Sequence, residues 1–293
     1  MTSIWIILIG SLVASACGLL GCFLILKRMA MLGDAISHAI LPGIVIAFLI
    51  SGSRDSLSML IGAIIVGLFT TIIIQWFQQN HVQADAALSI TFTALFAIGV
   101  ILISLYTRQI DLDLDCVLYG EIAYAHWDTW QIGQSNMGPR ALWMVGGVFL
   151  LNLIIIFLFY KQLKLITFDP AMAAAIGIPV TFFHYLLMGM VSLTTVASFE
   201  SVGAILVVAM LIAPAATAYL WSDRFSIMLL FSILTGTISA IGGYFLALFI
   251  DASIAGSMTM VAGLLFFLSF LLAPQHGLIG KWRKQRKWHS KPQ

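Results

Sequence analysis

Nine apolar runs separated by polar connections constrain this chain more than any other feature. They cover roughly 4–26, 29–50, 57–77, 87–106, 141–160, 181–199, 201–220, 226–250 and 254–273. At a rise of about 1.5 Å per residue, each run is long enough to cross a hydrocarbon core about 30 Å thick as a helix. Backbone N–H and C=O groups find no water in lipid, so only helices or closed barrels span it, and barrel strands are about half this length. The composition agrees, with 61% apolar residues and only 9% charged. The chain therefore reads as an all-α polytopic membrane protein of eight or nine transmembrane helices. Eight follows if the second, fifth or seventh run is short or broken. Residues 1–280 form one transmembrane domain on this reading, followed by a basic tail, 281–293. The N-terminus lacks the basic region and small-residue cleavage site of a signal peptide, so the first run reads as a retained helix. Cys17, Cys22 and Cys116 make no CxxC pair, and a disulfide framework is not expected.

Lys and Arg set the orientation. With the N-terminus outside, nine spans place eleven basic residues inside: Lys27, Arg28, Lys161, Lys164, Arg224 and six in the tail. Only Arg54, Arg108 and Arg140 fall outside. The acids divide the other way, with Asp55, Asp111, Asp113, Asp115, Glu121, Asp128, Glu200 and Asp251 at the outer face. An acidic mouth concentrates cations. It is also what positive-inside sorting alone would leave behind.

Asp34 and His38 lie one helical turn apart inside the second run, on one face of the expected helix. An Asp near the centre of a span costs roughly 2.5–3.5 kcal/mol on insertion scales, so such a residue marks a pathway or a site by default. Three readings fit the pair: mutual polar pairing within the bundle, a proton relay, or a metal half-site. A carboxylate with an imidazole suits Mn²⁺, Fe²⁺ or Zn²⁺, and the absence of thiolate argues against Cu(I). Two ligands do not close a coordination shell, whereas a dimer with the pair facing a shared axis would supply four. Pro42 and Gly43 follow, and are expected to kink the helix near its midpoint. Broken helices at that depth are where transporters place ion sites.

The stretch FDPAMAAAIGIP (168–179) reads as a short capped helix on the inner face. Asp169 suits the N-cap, Pro170 the first helical position and Gly177 the position after the C-cap. Such a helix either docks into another protein or lies on lipid. The outer connection 109–140 is long for a compact bundle. Asp111, Asp113, Asp115 and Glu121 there form a candidate vestibule or docking surface, and Asp115 could cap a short helix. Glu200, between the sixth and seventh runs, is a candidate outer gate or an interfacial turn residue. Pro214 is expected to kink the seventh run. His184 and His276 flank spans as interfacial residues. The tail GKWRKQRKWHSK reads as an anchor at anionic lipid rather than a nucleic-acid site. The chain contains no GxxxxGK[ST], HExxH or GxSxG, so any ATPase is a separate polypeptide and no enzyme activity is expected.

Four segments carry a family resemblance: KRMAMLGDAISHAILPGI (27–44), FDPAMAAAIGIP (168–179), SVGAILVVAMLIAPAATAYL (201–220) and APQHGLIGKW (273–282). With them the chain resembles the permease subunits of zinc/manganese/iron ABC importers (the ABC-3 type). The resemblance implies a type II-like permease bundle in the bacterial cytoplasmic membrane. It further implies a second permease copy or paralogue, a pair of cytoplasmic ATPase subunits and an extracytoplasmic solute-binding protein. Asp34 and His38 would contact the transported metal, and 168–178 would be the coupling helix to the ATPase, carrying Phe168, Asp169, Pro170 and Gly177. Family members often have an acidic residue where this chain has Ala171, so one polar contact to the ATPase is expected to be missing. DLDLDCVLYGEIAY (111–124) is similar to the manganese/iron branch, and the chain has no His-rich loop of the kind that would favour zinc. The expected function is a permease that imports a divalent transition metal by alternating access, Mn²⁺ foremost, with no permanently bound cofactor. The rival reading is a stand-alone proton-coupled carrier or channel.

Overall fold

The structure, a computed structural model, describes residues 2–52, 56–106, 122, 129–132, 135–273 and 277. Nine membrane-length helices are present among them, matching the nine apolar runs. The first is α1 (Thr2–Leu26). The second span is divided into α2 (Leu32–Ala39) and α3 (Leu41–Ser51). Then come α4 (Ser56–Gln79) and α5 (Ala84–Tyr106). An antiparallel hairpin, β1 (Thr129–Ile132) with β2 (Ser135–Pro139), precedes α6 (Arg140–Leu158). Two short helices, α7 (Tyr160–Phe168) and α8 (Pro170–Ala175), lead to α9 (Val180–Val202). The chain ends its described helices with α10 (Ala204–Trp221), α11 (Phe225–Ile250) and α12 (Ile254–Leu272).

α1 is the enclosed pillar of the bundle, with Val13, Cys17, Leu20 and Leu24 wholly buried. It packs against α10, α11, α6 and α9. α2 to α5 form a second group, joined to the first through α9 and α10. The outer surface is apolar: Phe157 of α6 is 88% exposed and Phe249 of α11 is 89% exposed. Large aromatic side chains this exposed, on helices apolar all round, belong against hydrocarbon tails rather than water.

The second span divides at Ile40, in the turn that precedes Pro42 and Gly43. Pro42 sits in the first turn of α3, where its missing N–H costs nothing because first-turn donors have no intrahelical partner. Gly43 serves packing instead. It meets Gly62 of α4 backbone to backbone, and a Cβ on either would collide with the other's carbonyl oxygen. Small residues of this kind let helices approach closely in lipid, where apolar burial gives no advantage over lipid contact. α10 continues through Pro214, and Thr235 Oγ1 of α11 donates to the Pro214 carbonyl at 3.3 Å.

Gly62→Ala is expected to destabilise the fold by about 1–3 kcal/mol, the usual cost of overpacking, because the colliding atom is backbone and cannot move aside. Gly263→Ala, where nothing lies within 4 Å of the added Cβ, should leave the melting temperature in detergent unchanged or slightly higher.

Candidate metal-translocation site

α2 buries its apolar residues and leaves its ionisable ones accessible. Leu32, Gly33, Ala35, Ile36, Ser37 and Ala39 are buried. The His38 and Asp34 side chains are 32% and 35% exposed. Leu32 and Ile36 pack into the bundle core, so that face of α2 is fixed. The i, i+4 pair lies on another face, partly exposed, with His38 beside α5. Ser37 Oγ donates to the Gly33 carbonyl at 2.8 Å, so its hydroxyl is satisfied within the helix.

His38 Nε2 lies 3.5 Å from Asp34 Oδ1. That is longer than an ordinary N–H···O hydrogen bond of about 2.7–3.2 Å. Two ligands of one cation, each about 2.0–2.2 Å from it and subtending about 90–110°, lie roughly 2.8–3.6 Å apart. The pair therefore has the spacing of neighbouring ligands. Among the described residues, no group of three or more His, Cys, Asp or Glu side chains is arranged to hold a metal. The His38 ring also meets Phe96 of α5 edge to face (5.7 Å between centroids, 81°) and Phe92 at 6.1 Å. Neither phenylalanine stands out in a sequence with this many apolar aromatics.

Lys27 follows α1, on the side of the bundle where α2 begins. Its Nζ lies 3.5 Å from His184 Nδ1 at the start of α9. Burial holds the Lys27 pKa below its ordinary value. His184 thus meets a span-end lysine rather than solvent alone, a contact between residues far apart in sequence that no local pattern signals.

The capped helix forms as its punctuation requires. Asp169 Oδ1 accepts from the Met172 N–H at 2.9 Å, and Pro170 opens α8. At the other end, Gly177 adopts φ +87°, Ile178 N–H donates to the Ala173 carbonyl and Gly177 N–H to that of Ala174, both at 3.0 Å. This is a Schellman closure, which needs a left-handed residue and so favours glycine. α8 stands clear of the bundle with only Ala173 buried. Phe168, Met172 and Ile176, spaced four apart, are 56%, 53% and 62% exposed. Its base is held by aromatic contacts: Phe225 of α11 packs on Phe23, Tyr160 and Phe168. Through Pro179, α8 leads directly into α9, which packs against α2.

Glu200, exposed near the far end of α9, borders a cavity of about 200 Å³. Its other walls are apolar and include Ile40, Ile44, Met59 and Phe199. At 100° per residue, Ile40 lies about 200° around the helix from His38, so this cavity opens on a different face of the second span from the Asp34–His38 pair. Asp111, Asp113, Asp115, Glu121 and the basic tail lie outside the described residues, as do His276 and Cys116.

The sequence matches the ABC 3 transport family over residues 2–273. The chain belongs to that family. It is 50% identical over 277 residues to the manganese transport system membrane protein MntD of Bacillus subtilis, covering 94% of each chain. It is 42% identical to the zinc transport system membrane protein TroD of Treponema pallidum, covering 94% of this chain and 75% of the relative. Among solved structures it resembles PsaBC of Streptococcus pneumoniae in complex with Fab, with a TM-score of 0.78 and 34% identity over 96% of this chain and 94% of that one. The nine-span bundle is thus an ABC permease, as the sequence segments implied.

Asp169→Ala is expected to destabilise α8 by about 1 kcal/mol, the usual worth of an N-cap, with Asp169→Ser largely preserving it. Amide hydrogen exchange at Met172 should quicken by about fivefold in the alanine variant, and a rate equal to wild type would show the cap to be idle.

Proposed function

We propose that this chain is the membrane-spanning half of an ATP-driven importer of a divalent transition metal, manganese foremost. The observation that carries the reading is the inverted burial of α2: an apolar helix that buries its hydrocarbon and opens only Asp34 and His38. The manganese transport proteins among the relatives, at 50% and 45% identity, favour Mn²⁺ over Zn²⁺. Carboxylate and imidazole ligands without thiolate suit Mn²⁺ and Fe²⁺ and tolerate Zn²⁺. Within one chain the cation would meet two protein ligands. Water, or the same pair from a second permease facing a shared axis, would complete the shell. A shell finished by exchangeable ligands binds weakly enough to let the ion leave.

The N-terminus faces outward and the Lys27, α8 and Asp223 side faces the cytoplasm, following the distribution of Lys and Arg. A solute-binding protein delivers the metal at the outer face. On the inner face, α8 is the coupling helix. Its exposed Phe168, Met172 and Ile176 ridge would seat in a groove of a partner ATPase, and ATP-driven closure would move α9 through Pro179 and so the α2 wall of the path.

ATP-dependent uptake into liposomes by the chain, reconstituted with its ATPase and binding protein, tests the reading. Asp34→Ala and His38→Ala should each reduce Mn²⁺ uptake to background while the permease still assembles in the membrane. Normal uptake in both variants would remove the site, and flux without ATP would replace the importer with a carrier. Met172→Glu, which puts a charge on the α8 ridge, should reduce copurification of the ATPase. Undiminished copurification would move the coupling contact elsewhere.

A further inference from the structure

We propose that Phe92 and Phe96 are positioning residues for the transported metal: they clamp the His38 imidazole so that Nε2 faces the Asp34 carboxylate. The inference rests on the reading that Asp34 and His38 contact the cargo. Metal-binding histidines usually donate their other ring N–H to a carboxylate or carbonyl, which fixes the ring and raises its basicity. The His38 ring meets the Asp34 carboxylate and two phenyl rings.

The rings arrive as a matched pair. Phe92 and Phe96 are one turn apart on α5, so both rings lie on one face of that helix, and both meet His38. Their approach depends on Gly99, a turn beyond Phe96. A Cβ there would stand 3.0 Å from Leu41 Cβ, so glycine lets α5 close against the start of α3.

Holding an imidazole by hydrocarbon differs chemically from holding it by a hydrogen bond. Ring contacts restrict its orientation without adding to the basicity of its nitrogens. Such a histidine is ready for its cation without gripping it tightly, which suits a site that must pass its ion on. Phe96 meets the ring edge to face at the shorter distance and bears the larger share.

Mn²⁺ binding to the full chain in lipid nanodiscs, followed by loss of the free Mn²⁺ electron-spin signal, tests this. Phe96→Leu keeps volume without a ring and should weaken binding about tenfold, at the low end for loss of an outer-shell partner, with Phe92→Leu losing less. Phe96→Tyr retains the ring and should bind as wild type. Added to His38→Ala, which leaves Asp34 as a residual ligand, Phe96→Leu should change nothing further, because its effect passes through His38. Wild-type affinity in both leucine variants would overturn the proposal, as would a loss that adds in full to that of His38→Ala, the signature of a general packing role. If His38→Ala itself leaves Mn²⁺ binding intact, the metal site falls and the clamp falls with it, a result separate from the other two.

Discussion

A carboxylate inside a membrane span is the constraint around which this bundle is organised. Left in hydrocarbon, Asp34 would cost several kcal/mol, more than most single interactions in the fold return. The structure meets that cost by position. Leu32 and Ile36 bury the opposite face of α2, His38 sits one turn on, and the pair keeps only part of its surface exposed. Breaking the span at Ile40 separates this short polar helix from the apolar α3, so each half can be held by different neighbours. α2 is held by α5 and α9, while α3 closes on α4 through the Gly43–Gly62 contact.

The same economy governs the connection between the two faces of the membrane. α9 begins beside α8, meets Lys27 at His184, packs along α2 and ends at Glu200, where Gly203 turns the chain directly into α10 at φ +84°. One continuous helix therefore touches the exposed inner ridge, the polar wall and the far-side cavity. Asn152, buried in the otherwise apolar α6, donates to Thr194 Oγ1 of α9 at 2.6 Å. In lipid an interhelical hydrogen bond of this kind is worth about 0.6–2 kcal/mol, enough to choose a rotation of α6 without locking it.

Features that depend on near neighbours were legible before any coordinates. Hydropathy located all nine spans, because each must satisfy the bilayer by itself. Asp169, Pro170 and Gly177 announced α8, because caps are chosen by residues within a turn of one another. Features built from distant residues were not. The β1–β2 hairpin lay hidden in a stretch whose only signals were TWQI and a following glycine. Phe92 and Phe96 were two aromatics among twenty phenylalanines until α5 was laid against α2.

The sequence by itself determined the membrane class, the spans, the ionisable pair, the capped helix and the family, because each is written within a segment of about twenty residues or fewer. Only the tertiary structure decided which face of α2 is open, what holds the His38 ring and which glycine pairs let the helices close. Most of the neighbours involved are helices apolar all round, and a helix with no polar face gives no sequence record of its rotation; packing alone fixes it.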